Sequence, residues 1–172
     1  LENARGASIS AFLSAKDGDY GTVMVSGGNA MGKGQTWRYT RFLHGNGFRT
    51  LAFSFEGYDS NGGAANLGTM LGDASTVHAH LRTRYPGEPV VYLASSLSTA
   101  AALCLPSRAS ELDGVVLEGA INLRTIPFQK MLQWWPLLPL FPITLPLAGA
   151  TSASVPGELS PGRCAEQAGD TR

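Results

Sequence analysis

Short apolar runs alternate along the chain with apolar positions at helical spacing. Residues 7–13 are predicted as a first strand, followed by a turn at Lys16-Asp17-Gly18-Asp19. Thr22-Val23-Met24-Val25 has the character of a buried strand and ends in a glycine-rich loop, residues 26–34. Residues 36–44 read as a helix, with Gly45 and Gly47 as stop signals. Between residues 49 and 55, Leu51, Phe53 and Phe55 alternate with smaller side chains at the period of a strand. Leu67, Met70, Leu71, Ala74, Val77 and Leu81 then recur at helical intervals, which predicts an amphipathic helix ending before Pro86. Residues 90–93 are predicted as a strand, 98–105 as a short Ala-rich helix and 114–118 as another strand. This alternation predicts an α/β fold, with right-handed crossovers and a mostly parallel sheet covered by helices on both faces. Ligands of such sheets bind at the carboxyl ends of the strands. Three loops leave those ends, at residues 26–34, 56–63 and 94–98, and function is expected there.

Composition narrows the class. With 172 residues, 44% of them apolar, the chain can bury one domain core and is not a disordered segment. Thirteen basic and thirteen acidic side chains balance, and only Lys16, Lys33 and Lys130 are lysines, so the composition argues against a phosphate-seeking basic surface and nucleic acid is not an expected partner. The two cysteines make neither a disulfide scaffold nor a four-ligand zinc site. Cys104 is expected as a small buried residue and Cys164 as an exposed thiol. The chain opens Leu1-Glu2-Asn3 and shows no signal peptide, although one removed upstream would leave no trace, so the compartment is left open, cytoplasmic by default. The long apolar stretch from Met131 to Ala150 carries Pro136, Pro139, Pro142 and Pro146, which would break a spanning helix repeatedly. It is expected to be a cap or a surface-docking segment.

The segment Val90-Val91-Tyr92-Leu93-Ala94-Ser95-Ser96-Leu97-Ser98-Thr99 carries the most chemistry. A strand runs straight into a helix with Ser96 at the turn and small residues two before and two after it. A nucleophilic serine on so sharp a turn needs small neighbours, because strand and helix pass close together; the usual pattern is G-x-S-x-G, and here Ala94 and Ser98 replace both glycines. The rival reading of Ser96 is a helix-capping serine in a buried crossover.

At these residues the sequence resembles the α/β-hydrolase superfamily, most of all its monoglyceride-lipase-like and Bem46-like serine hydrolases. Val25-Ser26-Gly27-Gly28-Asn29 is similar to the family's strand and H-G-x-x oxyanion loop, with Ser26 in place of the frequent His. Phe53-Ser54-Phe55-Glu56-Gly57-Tyr58-Asp59-Ser60 is similar to its D-x-R-G-Y-G-x-S loop, with Ser54 and Glu56 for Asp and Arg. Leu112-Asp113-Gly114-Val115-Val116-Leu117-Glu118 is similar to the strand after the elbow. The resemblance covers roughly residues 7 to 170 and implies a single domain, with a core over 7–122, a cap segment over 123–160 whose helical insertion lies near 124–160, and a polar tail over 161–172. It implies Ser96 as nucleophile, with the backbone N–H groups of Leu97 and of Gly28, or else Asn29, as oxyanion donors. The implied activity is hydrolysis of an ester or amide through an acyl-serine, with a small-molecule substrate and neither cofactor nor metal. The apolar cap segment, with Trp134, Trp135 and Phe141, favours an acyl substrate and leaves room for contact with a membrane surface.

A serine nucleophile needs a positioned base. The superfamily's chain order is Ser, then Asp or Glu, then His, whereas His44, His78 and His80 all precede Ser96. The acids after it are Glu111, Asp113, Glu118, Glu158, Glu166 and Asp170, and no His follows. The chain is therefore expected to be an incomplete core lacking the acid and base, with a non-catalytic scaffold as the alternative. A second alternative is nucleotide binding, since Gly27-Gly28-Asn29-Ala30-Met31-Gly32-Lys33-Gly34 nearly spells G-x-x-x-x-G-K-[ST] but has Gly34 where a magnesium-binding hydroxyl belongs. Asp59-Ser60-Asn61-Gly62-Gly63 begins like a calcium loop, but Met70 stands where its final Glu should be.

Overall fold

The computed structural model describes residues 1–14, 20–28, 31–105, 112–120 and 163–164. Five strands form one sheet: β1 (Ala11–Leu13), β2 (Thr22–Ser26), β3 (Arg49–Phe53), β4 (Val90–Ser95) and β5 (Gly114–Glu118). Their order is β1-β3-β2-β4-β5; β1 runs antiparallel to β3 and every other pair is parallel. The crossovers carry α1 (Trp37–Gly45), α2 (Leu67–Arg84) and α3 (Ser98–Cys104). This is the predicted α/β architecture. The proposed cap, the tail beyond Cys164, Asn29 and the turn at Lys16 to Asp19 lie outside the described residues.

Register assigns the two faces. The row Leu13–Leu51–Met24–Tyr92–Val115 crosses all five strands on one face, and the next row, Phe12–Ala52–Val25–Leu93–Val116, lies on the other, because side chains alternate along each strand. The first face forms the main core with Leu71, Ala74, Val77 and Leu81 of α2 and Ala101 and Ala102 of α3. The second lies on the α1 side and is covered only in the middle. Val25 and Ala52 are buried, whereas Phe12 and Val116 at the two ends are 62% and 51% exposed.

Of the predicted boundaries that move, three do so for a local reason. Residues 7–10 do not join β1: the chain turns at Gly6 (φ +76°), Asn3 N–H donates to Ala7 O and Ile9 N–H to Leu1 O, and Ser10 N–H is taken by the Asn61 side chain while Ser10 O accepts from Ser54 N–H. β3 stops at Phe53, since the Asn61 amide donates to the carbonyls of Ser54 and Phe55 and removes them from the ladder. α1 begins only at Trp37, after a 3-10 turn over Lys33–Thr36. By contrast, α2 starts at a capping box, in which the Asn66 side chain accepts from Thr69 N–H and the Thr69 hydroxyl accepts from Asn66 N–H.

The cysteine expectation is corrected: Cys104 and Cys164 form a disulfide. Cys164 is 1% exposed, not a surface thiol, because the chain returns to α3 after 60 residues. A separation that long leaves no signature in the sequence.

Candidate active site

β4 turns into α3 within two residues, and Ser96 sits on that turn with φ +56°. For a residue with a Cβ this left-handed backbone costs about 1–2 kcal/mol and persists only where its surroundings impose it. They do so here. Ser96 N–H donates to Glu118 O of the neighbouring strand at 2.8 Å, and Ser96 O accepts from Thr99 N–H at 3.0 Å and from the Thr99 hydroxyl at 2.5 Å. Below it, the fully buried Ser98 hydroxyl accepts from Ser95 N–H at 2.9 Å and lies 3.0 Å from Ser95 O and 3.2 Å from Ser26 O. The serine that replaces the second glycine of the motif thus ties the elbow to the end of β2. Ser96 itself remains half-buried and open to a reactant.

The glycine loop after β2 closes over the elbow. A methyl group added to Gly28 would approach Ser96 Cβ to 2.8 Å and its Oγ to 3.2 Å, so only glycine lets the backbone come this near. Gly28 N–H donates to the Met31 thioether at 3.2 Å, a weak acceptor that a stronger one can displace. Leu97 N–H has no intramolecular acceptor among the described residues. The structure therefore brings together Ser96, Leu97 and Gly28, the three residues expected from the sequence.

The departures from the family pattern acquire local partners. Ser26, in the position of the frequent His, is fully buried and its hydroxyl meets the Tyr92 hydroxyl at 2.7 Å. Burial pushes the Tyr92 phenol well above its ordinary value, so it stays protonated. Ser54 pairs with Asp59, and its hydroxyl bond is the main reason the Asp59 carboxyl titrates below its usual range. Lys33 donates to Asp59 and Ser10 through its ammonium, so the cation of the phosphate-loop-like sequence is engaged elsewhere. Glu56 accepts from Arg5 and Asn3, and the Arg5 bond leads in holding its carboxyl low.

The titratable groups after Ser96 divide. Asp113, at the start of β5, pairs with Arg82. Glu118, at its end, accepts from the Tyr39 hydroxyl, which chiefly holds its carboxyl below the usual range, with Ser95 adding to the effect. His44 closes α1, and His78 and His80 lie on α2, so none of the three stands on the loops around Ser96. Among the described residues no group of three or more metal-ligating side chains could hold a metal ion, and no helix is long and apolar enough to cross a membrane. Sequence reasoning missed Met31 and Glu118 as neighbours of the elbow. The only available signal was their place, Met31 within the loop after β2 and Glu118 at the end of β5.

Neither a protein-family model nor a curated sequence matches the chain. Solved structures do. An esterase from Pyrococcus furiosus superposes with a TM-score of 0.68 at 20% identity, over 88% of this chain and 60% of its own. A thermostable carboxyl esterase from Bacillus coagulans gives 0.65 at 16% identity, over 80% and 48%. A lipase in an open form gives 0.65 at 15%, over 99% and 71%. The chain has the α/β-hydrolase fold. The likeness does not distinguish the Bem46-like or monoglyceride-lipase-like branches. The chain spans about half the length of the Bacillus coagulans enzyme and 60% of the Pyrococcus furiosus one.

Proposed function

We propose that the chain carries the nucleophile and oxyanion site of a serine hydrolase acting on an ester or amide. One observation carries this reading: Ser96 is held at φ +56° on the β4–α3 turn, directly against Gly28. Ser96 Oγ attacks the substrate carbonyl carbon, giving up its proton to a base, and the carbonyl oxygen becomes an oxyanion. Leu97 N–H and Gly28 N–H receive that oxyanion, which displaces the Met31 thioether from the latter. Each preorganised donor of this type contributes about 2.7–4 kcal/mol to the transition state. Collapse expels the alcohol or amine, protonated by the base, and leaves an acyl-serine for water to cleave. His44, His78 and His80 lie on α1 and α2 and not beside Ser96, so the reading requires a His from further residues of a longer protein. The substrates of the esterases and lipases of this fold make an acyl ester the first to try.

The test is hydrolysis of p-nitrophenyl butyrate by the natural gene product and its Ser96→Ala variant. The variant is expected to lose about a thousandfold or more in kcat. Equal turnover by the two proteins would remove Ser96 from the mechanism. A second reading, a scaffold that keeps the fold without catalysis, draws on the positions of His44, His78 and His80, and predicts no turnover by either protein.

A further inference from the structure

A groove of about 860 Å³ runs between α1 and the β1–β3 end of the sheet. Its apolar surface comes from Phe12, Trp37 and Ala52, and the two aromatic side chains are 62% and 65% exposed. Its charged groups among the described residues are both cationic, Lys33 and Arg41; His44 and the hydroxyl residues Ser14, Thr40 and Thr50 also line it, and no described Asp or Glu does. Lys33 is held by Asp59 and stacks over the Phe12 ring at 5.3 Å, so its charge is largely answered. Arg41 is exposed and makes no hydrogen bond or ion pair among the described residues. In the groove wall, His44 Nδ1 is buried without a hydrogen-bond partner among them. An apolar groove beside a guanidinium unpaired among the described residues is complementary to an alkyl chain that ends in a carboxylate.

From this geometry we propose that the groove binds a single-chain carboxylate, with its alkyl chain against Phe12, Trp37 and Ala52 and its head group on Arg41. The groove follows the α1 side of the sheet, whereas Ser96 stands at the carboxyl ends of the strands. The proposal is therefore independent of the hydrolytic reading.

Calorimetric titration of the natural gene product with dodecanoate and with dodecyltrimethylammonium, both below micellar concentration, tests it. Dodecanoate is expected to bind at least about tenfold tighter than the ammonium, as a charge-assisted contact implies. Arg41→Glu should weaken dodecanoate by about the same factor, and Thr40→Trp, which fills the trough from an exposed helix, should abolish binding. Both positions lie on a helix with no buried residue, and circular dichroism checks that the fold is retained. Ser96→Ala should bind dodecanoate unchanged. Equal affinity for the two amphiphiles, an unaltered Arg41→Glu, loss of binding in Ser96→Ala or absence of binding would each overturn the proposal.

Discussion

A single methyl group decides how the elbow is held. Gly28 and Ser96 are both fixed by backbone, so a Cβ 2.8 Å from Ser96 Cβ finds no flexible side chain to push aside. Gly28→Ala is expected to cost about 1–3 kcal/mol in urea unfolding, as overpacking does, and to slow acylation of Ser96. Gly34→Ala is the control, because nothing lies within 4 Å of the added methyl and its effect should stay within about 0.5 kcal/mol. Equal costs at the two positions would contradict the close approach. The elbow was legible in the sequence because its requirement is local: a strand, a serine between small residues, then a helix. The Met31 thioether on Gly28 N–H and the Glu118 carbonyl on Ser96 N–H were not, since both depend on how separate segments meet.

Among the elements, the clasp between the N-terminal segment and α2 is what the periodicity of apolar residues does not reveal. Arg5 and Asn3 reach Glu56 after β3 and Asp73 on α2, and Asp73 also accepts from Glu56 N–H at 2.7 Å. Asn3 Oδ1 also accepts from Ala7 N–H, so the same clasp helps hold the start of the 7–9 segment against residues 1–3 and out of the sheet. Core faces announce themselves by spacing, whereas a polar clasp is four residues scattered over 70 positions. The Glu56 carboxyl titrates low in the folded chain, chiefly through Arg5. A lowered folded value means stability that is present above the ordinary carboxylate range, about pH 4, and lost as the pH falls through the folded value. Arg5→Ala should therefore destabilise the protein more at pH 7 than below pH 3, as read from urea midpoints. A cost independent of pH would show that the pair does not contribute in this way.

For the whole molecule, the mostly parallel sheet with helices on both faces followed from alternation of strand and helix, and the hydrolase fold from the resemblance of the segments around Ser96, Gly28 and Glu118, whereas the strand order and the antiparallel β1 were not legible. Nor was the disulfide. It ties the helix that follows the elbow to a residue 60 positions later, and closing a loop of that length removes about 4 kcal/mol of unfolded-state entropy in the chain-entropy account. Cys164→Ser is expected to lower stability by an amount up to that value, and alkylation of the unreduced, unfolded protein should modify neither Cys104 nor Cys164. Two alkylated thiols would contradict the pairing. The central claim concerns Ser96, and the most direct measurement is labelling of the natural gene product with a fluorophosphonate probe, followed by mass-spectrometric mapping of the adduct. The account predicts one phosphonylated residue, Ser96, and no labelling of Ser96→Ala. A folded natural protein left unmodified at Ser96, or modified equally after the substitution, would contradict it.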